Sequence, residues 1–218
     1  MSKPDKSSKK PDPRAKFVAA RKAMTTALVE RDEEVKVVLT ALLADEHPLL
    51  VGPPGTAKSL LLDSVMRWVV PNDEEQQAKK FSILFTKFTT PEEVFGPVSV
   101  NGLKEDVYRR VTAGRLPESH FAFADEIFKA GSSILNTMLR ILNERTFENG
   151  DGQFRKVPLA MCVAASNEWP GDDGGKELGA LFDRFLFRMT VRPVSSGAGM
   201  KRLLWDTEED VTPEFDSH

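Results

Sequence analysis

The chain has little of the chemistry that marks metal-binding, thiol-rich or secreted proteins. Its 218 residues include one cysteine, Cys162, set inside the apolar run 159–165. One thiol excludes an internal disulfide framework and leaves no thiolate set for zinc. In that setting it reads as a small core hydrophobe. The three histidines, His47, His120 and His218, are far apart and make no ligand pattern. No apolar run approaches the roughly 20 residues needed to cross a bilayer. The basic N-terminus lacks the apolar segment of a secretory signal, so a cytoplasmic location is the default expectation and no membrane partner is expected. Charge is nearly balanced, 30 Lys and Arg against 33 Asp and Glu, a net −3. That gives no global pull toward nucleic acid or membrane, although a local basic patch stays open.

What is present suits one α/β domain with a complete core: 40% hydrophobic and 29% charged residues. Residues 1–14, rich in Lys, Ser, Pro and Asp, read as a disordered basic tail. Residues 17–43 are helical in pattern, with Val35, Val38, Leu39, Leu42 and Leu43 on one face and a break near Glu30, Arg31 and Asp32. Five short apolar runs follow, at 48–51, 81–88, 121–124, 159–165 and 185–191. Helical segments lie between most of them, among them 59–70 and 132–143. This alternation predicts a parallel sheet covered by helices on both faces. Two stretches interrupt the plan. Residues 97–117 and 146–157 each read as a β-hairpin, the second around the turn signal of Asn149 to Gly152. One folded core is therefore expected over 15–193. Beyond it, 194–218 reads as a linker around Ser195 to Gly199, then an acidic tail.

Four groups of residues carry chemistry. The first is Gly52-Pro53-Pro54-Gly55-Thr56-Ala57-Lys58-Ser59, with Leu60 behind it, placed after a strand and opening a helix. A triphosphate needs several backbone N–H donors converging on its oxygens, and glycines let the chain come close enough to supply them. A helix N-terminus adds favourable partial charge. Lys58 would neutralise the β- and γ-phosphates and Ser59 would hold Mg2+. The strict Walker pattern has Gly before the lysine, where this chain has Ala57. The bland alternative, an ordinary glycine-rich turn, leaves Lys58 and Ser59 without a purpose. The second group is Asp125-Glu126, ending the apolar run Phe121 to Ala124. Asp125 would bind Mg2+, directly or through water, and Glu126 would polarise the attacking water. The third is Asn167 after Ser166, either a group that reaches the γ-phosphate or a plain strand-end turn. The fourth is Arg184 after Asp183. It is either an in-chain salt-bridge partner of Asp183 or a finger to a neighbouring subunit's phosphate.

In this order, these elements resemble the MoxR family of AAA+ ATPases, with the likeness covering about residues 27–191. The phosphate loop matches that of the family, alanine before lysine included. The runs FTTPEEVFGPVSV, GRLPESHFAFADEIFKAGSSILNTMLRILNERTFENG, AASNEWP and ALFDRFLFR look closest to its RavA-type branch. The resemblance implies an AAA+ P-loop NTPase core with a five-stranded parallel sheet, helices on both faces and two β-hairpin inserts. It implies ATP and Mg2+ as ligands, Asn167 as the first sensor and Arg184 as the trans-acting finger, with Arg145 facing the interface. It also implies a homo-oligomer, usually a hexameric ring, acting as a chaperone-like remodeller beside a von Willebrand factor A domain partner. The helical lid that follows an AAA+ core is not recognisable after Pro193, so the chain is expected to be a fragment or a truncation.

The leading functional expectation is thus an ATP-hydrolysing remodeller. Two others stand beside it. One is a lid-less nucleotide-dependent scaffold without turnover. The other is a nucleic-acid motor using Tyr108, Arg109 and Arg110, although nucleic acid is not the expected partner.

Overall fold

The computed structural model describes residues 12–69, 78–170 and 175–205. The expected basic tail lies outside the described residues as far as residue 11, and the acidic part of the expected C-terminal tail, 206–218, lies outside them too. Two helices open the fold. In α1 (Pro13–Ala27) Pro13 sits at the first helical position and the Asp12 carboxylate caps Arg14 N–H at 3.0 Å. The chain breaks at Leu28 to Arg31 and restarts as α2 (Asp32–Leu43), whose first turn holds Asp32, Glu33 and Glu34. Next come β1 (Pro48–Val51), α3 (Lys58–Val69), β2 (Lys80–Leu84), α4 (Pro91–Phe95) and α5 (Val100–Lys104). Then follow β3 (Phe121–Asp125), α6 (Ser132–Glu144), β4 (Thr146–Glu148), β5 (Phe154–Lys156) and β6 (Met161–Ser166). The last are α7 (Gly175–Phe182), β7 (Phe187–Thr190) and α8 (Gly197–Trp205).

Five strands form one sheet in the order β2-β3-β6-β1-β7, every pair parallel. Burial along the strands records that order. The three inner strands are apolar and buried almost throughout, whereas β2 and β7 at the edges alternate between cover and solvent. Side chains of the inner strands sort by period two. Leu49, Val51, Ala122, Ala124, Cys162 and Ala164 pack with α6 on one face. Leu50, Phe121, Phe123, Met161, Val163 and Ala165 pack with α1, α2 and α3 on the other. Helix α6 buries Ile134, Leu135, Met138, Ile141 and Leu142, a three- and four-residue spacing that makes one apolar stripe.

Three expectations need correction. The strand read over 81–88 stops at Leu84, because Thr86 turns the chain by bonding Phe88 N–H at 3.2 Å while the Thr89 hydroxyl takes Thr86 N–H at 2.9 Å. The first expected hairpin is not a pair of strands. Ser99 caps Gly102 N–H and starts the helical turn α5, leaving one antiparallel bridge between Val98 and Arg110. Within the expected linker at 195–199, α8 instead begins at Gly197. The stretch 146–157 pairs as β4 with β5, Phe147 opposite Arg155. Its turn residue Asn149 binds the first insert, accepting Arg110 N–H at 2.8 Å and donating to Arg110 carbonyl at 3.2 Å.

Candidate functional site

The phosphate-type loop runs from the end of β1 to the start of α3, at the edge where all five strands end. Its backbone is tightly fitted. The Gly52 N–H donates to the Ser166 carbonyl at 2.9 Å. A Cβ on Gly52 would run into the carbonyl oxygen of Val191, so only glycine lets the loop leave the sheet there. Gly55 has φ +75°, and Ala57 has φ +63°, a left-handed conformation in a residue that carries a side chain. The Thr56 hydroxyl donates to the Pro53 carbonyl at 2.9 Å, and Arg31 Nε donates to the Thr56 carbonyl at 3.0 Å.

Lys58 is 7% exposed. Its ammonium donates to the loop's own carbonyls, Gly52 at 2.6 Å and Pro53 at 3.0 Å. Burial pulls its pKa below the ordinary lysine value, and the charges of Asp125 and then Glu126 oppose that pull. The lysine and the two carboxylates therefore share one electrostatic neighbourhood. Ser59 and Leu60 open α3 and are exposed.

Asp125 ends β3, opposite Leu84 of β2. Glu126 follows with φ +52° and is 6% exposed, its Oε2 3.4 Å from Lys129 Nζ. Its own N–H donates to Asp125 Oδ1 at 3.1 Å. The sharp turn lifts a buried carboxylate off the sheet edge beside the loop. Asn167 comes directly after β6, exposed at the same edge. Its neighbour Ser166 is opposite Val51, the last residue before the loop, and the Ser166 hydroxyl donates to Glu168 carbonyl at 2.7 Å.

Arg184 is not brought to this edge. It precedes β7, whose first residue Phe187 lies opposite Pro48, the first residue of β1. In a parallel sheet that is the opposite end from the loop. Arg184 is exposed and has no ion pair among the described residues, while Asp183 pairs instead with Arg188 at 4.0 Å. The in-chain alternative for Arg184 is thereby replaced by Arg188. Arg188 also stacks over Phe182, 3.9 Å from its ring centre.

Arg145 is also on the far side of the sheet, and it is fully engaged. It bonds His47 Nε2 at 2.7 Å, the Asp45 carbonyl at 3.0 Å and Asp45 Oδ1 at 3.2 Å. His47 is 3% exposed, and its Nδ1 accepts Cys162 N–H at 3.1 Å. Burial first, and then the Arg145 charge, lower the His47 pKa to about 3. Of the trio Tyr108, Arg109 and Arg110, the first two are exposed, while Arg110 pairs with Glu92 at 3.4 Å and donates to Gly96 carbonyl at 2.9 Å. Sequence reasoning missed Arg31, which is 4% exposed and braces the loop. A lone arginine at a helix break carries no signal of burial.

A five-stranded parallel sheet of this order, with a glycine-rich loop leaving the first strand, defines an α/β core with the AAA+ fold. Solved structures agree on the fold. A putative ATPase from Cytophaga hutchinsonii matches at TM-score 0.61 and 18% identity, over 92% of this chain and 59% of that one. The ADP complex of Hsp104 from S. cerevisiae matches at TM-score 0.61 and 15% identity, over 92% and 40%. The chain belongs to the MoxR family: residues 15–212 match the MoxR domain of MoxR-vWA-beta-propeller ternary systems. Two uncharacterized proteins of Methanocaldococcus jannaschii are each 43% identical over 195 residues, 89% of this chain. The chain spans 49% of the first and 48% of the second, about half their length. The chaperone MoxR1 of Mycobacterium tuberculosis is 29% identical over 166 residues, 75% of this chain and 41% of that protein. Among the described residues, no helix is long and apolar enough to cross a membrane.

Proposed function

We propose that this domain binds and hydrolyses ATP at the loop Gly52–Ser59, as one subunit of a ring that remodels a protein partner. The observation that carries the reading is Lys58. A lysine 7% exposed, on a loop of tight backbone turns and under the influence of Asp125 and Glu126, is suited to an anion brought into the loop. The residues present also fit Mg2+. Ser59 offers a hydroxyl and Asp125 a carboxylate, the hard oxygen donors that Mg2+ takes alongside phosphate oxygens and water. When bound, the ion would offset charge on the phosphates. The backbone of Gly52 to Lys58, with Leu60 behind it, holds the triphosphate. Glu126 accepts a proton from, and orients, the attacking water. Asn167 fixes the γ-phosphate end.

Arg184 cannot serve its own loop from the opposite end of the sheet. A second copy set head to tail would bring its Arg184 to the first copy's phosphates, and repeating that contact closes a ring, a hexamer in the usual family arrangement. The family's ternary systems and the MoxR chaperone relative support a remodelling role and a partner bearing a vWA domain. A cytoplasmic setting suits such a system.

The test is ATP turnover across protein concentration for the native chain, Lys58→Ala, Glu126→Gln and Arg184→Ala. Rate per subunit should rise with concentration, and all three variants should be inactive. Binding without turnover at any concentration would favour the non-hydrolysing scaffold.

A further inference from the structure

Ala57 occupies a left-handed conformation, at φ +63°, that glycine adopts freely and alanine does not, within the phosphate loop. Such a backbone persists only where its surroundings over-determine it. The peptide unit joining Thr56 to Ala57 is held by one side chain from outside the loop. Arg31 Nε donates to the Thr56 carbonyl at 3.0 Å, in a buried bond spanning 25 residues of chain. Arg31 is itself fixed. Its NH1 donates to the Glu30 carbonyl at 2.6 Å and lies 4.0 Å from Glu34 Oε1, and both Arg31 and Glu34 are buried. A trans peptide has its C=O and N–H on opposite sides. Drawing the Thr56 carbonyl toward Arg31 therefore turns the Ala57 N–H the other way, and with it sets the start of the backbone that leads into Lys58.

We infer that Arg31 is a positioning residue that locks the Thr56–Ala57 peptide of the phosphate loop, and that it makes an alanine workable where glycine would need no lock. The inference rests on the nucleotide site proposed above. Its logic is conditional on the residue at 57. With Ala57, loss of the Arg31 bond lets the peptide relax out of the left-handed region and the loop loses its anion-binding shape. With glycine at 57 the same backbone is free of strain, so loss of Arg31 matters less.

A double-mutant cycle isolates that dependence. Native chain, Arg31→Met, Ala57→Gly and the double variant are compared in ATP KM and kcat, and in Tm without nucleotide. Unpairing Glu34 costs the same in both backgrounds and drops out of the cycle. Arg31→Met should raise KM by about tenfold in the native background with kcat kept within about twofold, because Arg31 does not touch the reacting atoms. In the Ala57→Gly background the KM rise should shrink to less than about threefold, and the fall in Tm should shrink with it. Equal losses in both backgrounds would overturn the inference, as would a fall in kcat without a change in KM. Arg31→Gln replaces Arg31→Met should the latter not fold. If the native chain neither binds nor hydrolyses ATP, the proposed site fails. The Tm cycle still decides whether Arg31 and Ala57 are coupled.

Discussion

The two ends of the parallel sheet carry different kinds of charge. At the end where strands finish, Lys58 and Glu126 are 7% and 6% exposed, held on backbones with positive φ at Ala57 and Glu126. At the other end two arginines divide the possibilities. Arg145 is engaged with His47, Asp45 and the Leu142 carbonyl, whereas Arg184 stands exposed with no ion pair among the described residues. Charge that is buried, strained and near opposite charge suits chemistry. Charge that is part-buried and bonded on several sides suits architecture. Charge that is exposed and unspent suits a neighbour.

The largest effect that would break this comparison is at Arg184. Arg184→Ala should lower ATP turnover by about 10³-fold, the scale of a finger supplied in trans. Mixing it with Lys58→Ala should restore part of the rate, because mixed rings contain interfaces with both an intact loop and an intact arginine. A mixture as inactive as its parts would remove Arg184 from the neighbour's site. Next, Glu126→Gln should cut turnover by about 10²-fold or more while a fluorescent ATP analogue still binds. Turnover at the native rate would end the role given to Glu126.

Smaller effects test the architectural arginine. Arg145→Ala should cost about 1–3 kcal/mol in urea unfolding, since it removes the Arg145 bonds to the Leu142 carbonyl and to Asp45. Turnover at saturating protein and ATP should fall far less than in Arg184→Ala. A turnover loss as large as that of Arg184→Ala would mean that Arg145 also serves the neighbour. The pH dependence of stability follows from His47. Its folded pKa is lowered to about 3 from an ordinary 6.5, so below 6.5 the unfolded chain binds the extra proton. The stabilisation is complete above pH 6.5 and is lost as pH falls toward 3, at up to about 1.4 kcal/mol per unit. Unfolding at pH 7, 6 and 5 should show this slope, and His47→Gln should flatten it.

How much of this was legible in the sequence depended on how local the cause was. The inner strands announced themselves because burial on both faces requires unbroken apolar runs, as at Met161 to Ala165. Helix α6 was equally plain, since one amphipathic stripe fixes its period. The structure brings the loop, Asp125 and Glu126 to one sheet edge, where their order along the chain had put them. The failures came where short polar side chains overrule propensity. Val98 and Val100 looked like strand, but the Ser99 cap turns the segment helical. The glycines near 197 looked like a linker, but Glu30 accepts N–H bonds from Ser195 at 2.9 Å and Ser196 at 3.0 Å and so starts α8. A Cβ on Gly199 would meet the Glu30 carboxylate and push it away from these bonds. The Ser195 bond spans 165 residues, and no window along the chain contains both ends.

Cys162 has a practical consequence. It is the only thiol in the chain, it is 0% exposed between β1 and β3, and burial pushes its pKa up to about 12. A thiol that stays protonated and enclosed does not meet alkylating or crosslinking reagents. The native chain is therefore already a silent background for site-directed labelling. A cysteine introduced on either end of the sheet would be the sole reactive handle, and its crosslinks would report geometry between copies without any native residue having to be removed.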